Sequence, residues 1–171
     1  SDAVQSLCQM IKAEDFDLAD GSEVAYLDIV PEYLGYIADH IQLDRNLKIV
    51  IDCGNGVAGN IAPTLYQSLG CEVITMYCEV DGNVPNHHPD PTVPKNLTDI
   101  IAKVKEEGAD CGLAFDGDAD RLGIASSTGE IIWPDRQLML YAKDYLQRHG
   151  SGKILFDVKC SKILADVITQ Y

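Results

Sequence analysis

The stretch Cys111-Gly-Leu-Ala-Phe-Asp116-Gly-Asp118-Ala-Asp120-Arg121 decides how the rest of the chain is interpreted. Its first five residues predict a short buried strand, after which three carboxylates follow at alternate positions. Alternate side chains of an extended chain point the same way. Gly117 and Ala119 leave room for the backbone to curl around an ion. Three carboxylates this close repel one another unless a cation lies between them. The stretch therefore predicts a metal-binding loop.

The donors Asp116, Asp118 and Asp120 favour a hard divalent cation, because all of them are oxygens. Mg²⁺ that also holds a phosphate oxygen suits three carboxylates with open positions better than a closed cage does. Arg121 adds a planar fork of donors, which is a common partner of phosphate. The alternative is a solvated acidic turn, and the apolar strand before it and the arginine after it disfavour that interpretation.

Two other acidic motifs can be tested against the same letters. An EF-hand loop needs Gly at its sixth position and Glu at its twelfth, whereas this chain has Arg121 and Ser127 there. An aspartyl-nucleophile phosphatase usually has Thr or Val where Asp120 stands. The first interpretation fails and the second is weak.

A glycine-rich stretch at 54–59 has the GxGxxG spacing, between a predicted strand at 47–53 and a helix that ends near Leu69. This motif is typical of dinucleotide binding, and Glu79 lies where a ribose-binding acid is expected. Against this hypothesis, the chain continues into the proline-rich segment 84–94 and not into another βα unit. A nucleotide-dependent oxidoreductase is therefore the competing enzyme hypothesis.

Strand and helix patterns alternate along the chain, and this alternation predicts an α/β fold. The acidic link at 15–22, with the helix after it, is the predicted domain boundary. Helices are predicted at 1–14, 28–41, up to Leu69, 96–107, 136–148 and after Ser161, and strands at 47–53, 72–78, 111–115, 122–125, 130–133 and 153–158.

The composition is that of a globular protein with a core, since 46% of the 171 residues are hydrophobic. The formal net charge of −14 argues against nucleic acid and anionic membrane partners, which need basic patches. The sequence has no apolar run of 18 residues and no signal-peptide pattern, so we expect a cytoplasmic protein. Six cysteines without a CxxC pair predict neither structural zinc nor a disulfide framework. A first residue that is not Met and an end inside an apolar helical pattern predict a piece of a longer protein.

Two cations outside the acidic loop lie near predicted helix N-termini, where anions bind. Arg136 begins one helix, and Lys159 follows a predicted strand just before another. An anion-binding role and an ordinary surface role are both open for each of them on the letters alone.

Five motifs, in this order, resemble those of the α-D-phosphohexomutases, most closely the bacterial phosphomannomutase/phosphoglucomutase group. They are VIDCGNGVAG at 50–59, NHHPDP at 86–91, the acidic loop, WPDR at 133–136 and DVKCS at 157–161. Ala119 departs from the pattern, because the family usually has Gly there, and it predicts a stiffer loop. The family's phosphoserine loop, sugar-selecting loop and main phosphate-binding loop are not visible in these 171 residues.

The resemblance implies a mixed β-sheet sandwiched between helices. It places the tail of a first domain and a link at 1–27, a metal-binding second domain at 28–130, and the beginning of a third domain at 131–171. It implies interconversion of hexose 1-phosphates and 6-phosphates through a phosphoserine and a bisphosphorylated sugar. The isolated chain, which lacks that serine, is then expected to be inactive.

The resemblance also implies a set of site residues. Asp116, Asp118 and Asp120 would hold Mg²⁺, and Arg121 would steady the phosphoryl group. Lys159 would contact the sugar phosphate, as a general acid/base or as a binding residue, and Arg136 would line the same cleft. The implied partners are a phosphorylated hexose and the remaining domains of the enzyme. Whether glucose, mannose or glucosamine phosphate is the substrate stays open, and a non-catalytic truncated binding module is the third hypothesis.

Overall fold

A computed structural model of the chain describes residues 2–16, 21 and 23–171, so the predicted link at 15–22 lies largely outside it. Two short 3₁₀ helices cover Val57–Asn60 and Pro94–Leu97. The α-helices are α1 (Asp2–Ala13), α2 (Val30–His40), α3 (Ala62–Ser68), α4 (Thr98–Glu107), α5 (Pro134–His149) and α6 (Lys162–Gln170). The strands are β1 (Lys48–Asp52), β2 (Glu72–Met76), β3 (Cys111–Phe115), β4 (Leu122–Ser126) and β5 (Ile131–Ile132).

The five strands form one mixed sheet in the order β2-β1-β3-β4-β5. The first three are parallel, with β1 paired to β2 on one side and to β3 on the other. The last two are antiparallel to their neighbours, because β3–β4 and β4–β5 are hairpins. The predicted mixed α/β fold is confirmed, and so is the turn between β4 and β5, where the Gly129 amide donates to the Ser126 carbonyl.

Each face of the sheet packs against its own hydrophobic core, and the side chains of β1 alternate between the two cores. Ile49, Ile51 and Cys53 lie in one buried cluster, while Val50 lies in the other, as the two-residue period of a strand requires. The first cluster is completed on the α3 side of the sheet by Ala62 and its neighbours. The second is formed mainly by α4, whose Ile100 and Val104 are fully buried.

The boundaries of α4 and α6 follow ordinary capping chemistry. Gly108 ends α4 in the left-handed conformation, with φ of 60°, as the sequence predicted. Ser161 precedes α6, and its hydroxyl accepts a hydrogen bond from the Ile163 amide at 3.3 Å, so the predicted N-cap is also confirmed. Asp135 ties α6 to α5, because its carboxylate accepts from the Ser161 amide at 3.1 Å.

The strand predicted at 153–158 is wrong, because the structure has no regular element there. Leu155 is 93% exposed and Val158 is 96% exposed, so the apolar pattern faces solvent. A strand requires a neighbouring strand for its backbone hydrogen bonds, and none of the described residues supplies one to this segment. Among the described residues, no helix has the length and apolar character needed to cross a membrane.

Candidate metal centre

The acidic loop at 116–121 connects the antiparallel strands β3 and β4, and so it lies at the carboxyl ends of β1 and β3. Its ends are closed by the Asp116 amide, which donates to the Arg121 carbonyl at 3.3 Å. Inside it, the Ala119 amide donates to the Asp116 carbonyl at 3.2 Å. This tight turn brings alternate side chains to the same side of the loop.

The three carboxylates of the loop form a cluster that can hold a cation. Asp116, Asp118 and Asp120 each offer one oxygen, and these oxygens all lie within 4.8 Å of one another. Asp116 is buried, whereas the other two are exposed. A hard oxygen donor set that is open to solvent on one side fits Mg²⁺, which binds few carboxylates and keeps positions for water or phosphate.

The two ends of the cluster differ in their electrostatics. Burial disfavours the charge of Asp116, but hydrogen bonds from the Arg121 amide (2.9 Å) and guanidinium (2.6 Å) outweigh it, and its pKa lies below the ordinary value. The pKa of Asp120 is raised, first by a hydrogen bond to Asp116 and then by the charges of Asp118 and Asp116. The ionised form of Asp116 is therefore favoured at the base of the loop, whereas the ionised form of Asp120 is disfavoured at its rim.

Arg121, predicted to face a phosphoryl group, lies at the base of this cluster. Its Nε contacts Asp116 and lies 3.6 Å from an Asp120 oxygen, and its Nη1 lies 3.0 Å from Asp90. The side chain is half exposed. Arg121 thus balances the carboxylates while one edge of its guanidinium stays open to solvent. Asp90 was not predicted as a site residue, although it belongs to the NHHPDP motif.

Ala119 adopts the left-handed conformation, with φ of 63°. This conformation costs a residue with a Cβ about 1 kcal/mol, whereas glycine adopts it without that cost. Ala119, where the resemblance leads one to expect glycine, therefore lies at a position whose backbone favours glycine. The strain is held by the hydrogen bonds that close the loop.

The glycine-rich loop at 54–59 packs against the acidic loop. The Val57 amide donates to the Gly117 carbonyl at 3.1 Å, and a Cβ on Gly56 would lie 2.7 Å from the same oxygen. A Cβ on Gly59 would lie 1.9 Å from the Cys78 carbonyl oxygen. The space that these glycines provide is filled by the chain's own backbone, which does not favour the dinucleotide hypothesis.

A hollow beside the acidic loop adjoins a second hollow at Trp133 and Pro134. One, of about 450 Å³, is lined by Asp120, Arg121, Trp133 and Pro134 among others. The second, of about 460 Å³, shares Trp133 and Pro134 and is lined by Lys159. Lys159 therefore lies across this Trp-Pro corner from the carboxylates. Its side chain is 84% exposed, and its Nζ lies 3.5 Å from an Asp157 oxygen.

Arg136, the other predicted substrate-binding cation, lies in the first turn of α5, one turn from Trp133. It is exposed, and its amide donates to the Asp135 carboxylate at 2.9 Å. The structure thus groups Arg121 with the three carboxylates, but it places Arg136 and Lys159 on the neighbouring α5–α6 surface.

A buried ion pair lies behind the glycine-rich loop, and it was not predicted from the sequence. His87 Nε2 lies 2.8 Å from Asp52, and its Nδ1 lies 3.0 Å from the His88 carbonyl. The His88 carbonyl and the ionised Asp52 carboxylate both accept, so this arrangement favours the imidazolium form, in which both ring nitrogens donate. Burial alone would lower the pKa of His87, but the His88 carbonyl and the Asp52 charge outweigh it and raise the pKa above its usual value.

This pair predicts a pH-dependent stability. A raised pKa means that the folded chain binds the His87 proton more tightly than the unfolded chain. The stabilisation is fully present below the unfolded pKa of about 6.5 and is lost as the pH rises through the folded value. Urea unfolding at pH 6 and pH 8.5 should show this loss in the wild type.

The matched control is its exposed neighbour, His88. His87→Asn should flatten the pH dependence of the unfolding free energy, whereas His88→Asn should keep it. An unchanged slope in His87→Asn would show that His87 is not held as the imidazolium.

Comparisons with known proteins relate the chain to one family. Residues 25–129 match the family described as phosphoglucomutase/phosphomannomutase, alpha/beta/alpha domain II. The whole chain is 54% identical to a phosphomannomutase/phosphoglucomutase of Pseudomonas aeruginosa and 52% identical to one of Pseudomonas putida. A crystal structure of a phosphoglucomutase/phosphomannomutase family protein from Burkholderia thailandensis, 46% identical, superposes on 99% of the chain with a TM-score of 0.88.

The chain spans only part of these proteins. It covers 37% of the length of each Pseudomonas relative and 37% of the Burkholderia chain. Most of the length of these relatives therefore lies outside the part that this chain matches.

Proposed function

Because the chain belongs to the phosphoglucomutase/phosphomannomutase family, we propose that it is the metal-binding part of a phosphohexomutase. Such an enzyme interconverts hexose 1-phosphates and 6-phosphates of mannose or glucose. The observation that carries the proposal is the cluster of Asp116, Asp118 and Asp120, with oxygens within 4.8 Å of one another at the end of β3.

In this proposal each residue of the loop has a distinct task. Asp116, Asp118 and Asp120 hold Mg²⁺, which supplies positive charge to a phosphoryl group when bound. Arg121 keeps Asp116 ionised and in place, and the open edge of its guanidinium donates to a phosphoryl oxygen. The half-exposed position of Arg121 is compatible with both contacts.

The two outer cations belong to the substrate side of the proposal. Lys159 and Arg136 lie on the surface beyond the Trp133–Pro134 corner, where a sugar phosphate held at the carboxylates would extend. Lys159 serves there as a general acid/base or as a phosphate contact, and Arg136 binds substrate.

We assign 28–130 to the metal-binding domain, 1–27 to the tail of a preceding domain and its link, and 131–171 to the beginning of a third domain. In the proposed reaction the phosphate passes through a phosphoserine outside this chain and a bisphosphorylated sugar, so the chain alone is inactive.

The test is a chimera in which these 171 residues replace the matching segment of the Pseudomonas aeruginosa phosphomannomutase/phosphoglucomutase. A coupled dehydrogenase assay measures the turnover of mannose 1-phosphate and glucose 1-phosphate. We expect the turnover of the chimera to lie within about tenfold of that of the parent enzyme. The isolated chain should give none, since it has no covalent phosphate carrier. A chimera that folds and melts like the parent but has no turnover would refute the proposal.

A second expected result concerns metal affinity. Three protein oxygens fill half of the roughly six positions of Mg²⁺, so the isolated chain should bind Mn²⁺ or Mg²⁺ weakly. Asp118→Asn should weaken that binding by about tenfold or more, because it removes one of three charged ligands. Water relaxation by Mn²⁺, with Mg²⁺ competition, measures both.

The matched control is Asp166→Asn, which removes the same charge from an exposed position on α6. It should leave the affinity unchanged. Without metal, Asp118→Asn should be as stable as the wild type or slightly more stable, because it relieves repulsion in the cluster. Equal Mn²⁺ affinity in Asp118→Asn and in the wild type would show that the acidic loop is not the metal-binding site. A loss of more than about 2 kcal/mol in stability would make Asp118 a structural residue.

A further inference from the structure

Two of the six free cysteines face each other with their sulfurs in contact. The Sγ atoms of Cys53 and Cys78 lie 3.2 Å apart and share a hydrogen bond. Cys53 is buried at the end of β1, and Cys78 is half-buried just after β2. Among the described residues, no other pair of cysteines has sulfurs within hydrogen-bond distance.

The backbone holds both cysteines firmly in this arrangement. The Cys53 amide donates to the Met76 carbonyl at 3.1 Å, and the Asn55 amide donates to the Tyr77 carbonyl at 2.8 Å. The Asn55 side chain donates to the Glu79 carbonyl at 2.8 Å. Hydrogen bonds thus cross between the two segments on both sides of the sulfur pair. The sulfurs need to approach by only roughly 1 Å to reach the length of a disulfide bond.

We propose that Cys53 and Cys78 are a reversible oxidation site, which forms an intramolecular disulfide in the folded protein when it meets a hydroperoxide. The reaction has two steps. The Cys78 sulfur attacks the hydroperoxide, its O–O bond breaks, water (or an alcohol) leaves, and Cys78 becomes a sulfenic acid. The Cys53 sulfur then attacks the Cys78 sulfur, an S–S bond forms, the S–O bond breaks, and water leaves with the Cys53 proton. Two thiols are oxidised and one peroxide is reduced.

The roles of the two sulfurs follow from their environments. The hydrogen bond that the two sulfurs share lowers the pKa of Cys78 below the usual thiol value, although burial opposes it. The same hydrogen bond and burial raise the pKa of Cys53. Cys78 is also the less buried of the two. Cys78 is therefore the sulfur that a peroxide reaches, and Cys53 is the thiol that resolves the sulfenic acid.

The experiment treats the folded 171-residue chain with hydrogen peroxide in small excess, blocks the remaining thiols, and maps peptides by mass spectrometry. Cys8→Ser and Cys160→Ser remove the two reactive candidates outside the sheet. We expect a peptide pair linked through Cys53 and Cys78, a loss of about 2 Da, and full reversal by dithiothreitol. In urea, the share of the Cys53–Cys78 peptide among all disulfide-linked peptides should be at least fivefold lower than in the folded chain.

The control variant is Cys111→Ser, a half-buried cysteine on β3 outside the pair. It should leave the linked peptide unchanged. Cys53→Ser should abolish the linked peptide. Cys78 should then stop at the sulfenic acid, which dithiothreitol reduces, until a second peroxide molecule converts it to the sulfinic acid, which dithiothreitol does not reduce. The proposal is overturned if wild-type Cys78 gains oxygen without linking, if the link joins other cysteines, or if the link forms equally in urea. It is also overturned if both thiols survive conditions that oxidise the exposed Cys8 completely in the chain that retains all six cysteines.

Discussion

Replacing Asp118 with alanine in the Pseudomonas aeruginosa chimera is expected to lower turnover by roughly 10²- to 10⁴-fold, or about 2.7 to 5.4 kcal/mol of transition-state stabilisation. Phosphoryl transfer depends on charge neutralisation and positioning more than on covalent help from the protein. Asp118 is an exposed member of the carboxylate cluster, so its removal changes the charge available to a cation and leaves the core intact. The coupled assay on glucose 1-phosphate measures the loss.

Asp118 is a cleaner probe than Asp116, whose carboxylate is buried and holds Arg121. Asp116→Ala should abolish turnover too, but it also leaves the guanidinium without its partner and so destabilises the fold. Lys159→Ala should cost less than either, because its exposed side chain lies beyond the Trp133–Pro134 corner. Asp166→Ala, which removes an exposed carboxylate outside the cluster, serves as the charge control. If Asp118→Ala retained more than about a third of the turnover, the loop would not carry the chemistry proposed for it.

The strands were predictable because each of them is a short apolar run that can be recognised in the sequence itself. The apolar runs that contain β1 and β3 are short, are bounded by polar or glycine residues, and are buried as expected. The alternation of carboxylates after β3 likewise predicted which side chains share a side of the loop. The segment 153–158 has the same apolar character, but its strand pairing depends on a partner and not on its own letters. This is why the prediction failed there.

The polar contacts of the site were not predictable, because they join residues that are far apart in sequence. Arg121 contacts Asp90, and His87 contacts Asp52, across separations of 31 and 35 residues. Each pair meets only after the parallel strands have aligned their carboxyl ends. The NHHPDP motif did draw attention to the segment that contains Asp90. Nothing in the spacing of that motif identified Arg121 as the partner of Asp90.

The glycine-rich loop shows how one pattern can support two interpretations. Its spacing is that of a phosphate-binding turn, in which missing side chains let a ligand approach the backbone. In the structure the same positions let β-strand ends and the acidic loop approach one another. Gly56 faces the Gly117 carbonyl, and Gly59 faces the Cys78 carbonyl. Only the three-dimensional neighbours of a glycine distinguish these two uses.

Gly59→Ala is therefore expected to destabilise the fold by about 3 kcal/mol or more. An added Cβ would lie 1.9 Å from the Cys78 carbonyl oxygen and 2.8 Å from its carbon. Both atoms are backbone, and the neighbouring segment is fixed by hydrogen bonds from Cys53 and Asn55, so neither side can move away at low cost. Urea unfolding followed by far-ultraviolet circular dichroism gives the change in unfolding free energy.

Gly82→Ala is the matched control, because a Cβ there meets no atom within 4 Å and its backbone needs no left-handed conformation. It should change the unfolding free energy by less than about 0.5 kcal/mol. The contrast separates close approach from the general effect of replacing a loop glycine. If Gly59→Ala lost as little stability as Gly82→Ala, the two segments would not be held as closely as the structure has them. The space at 54–59 would then be available to a ligand, and the dinucleotide hypothesis would regain its physical basis.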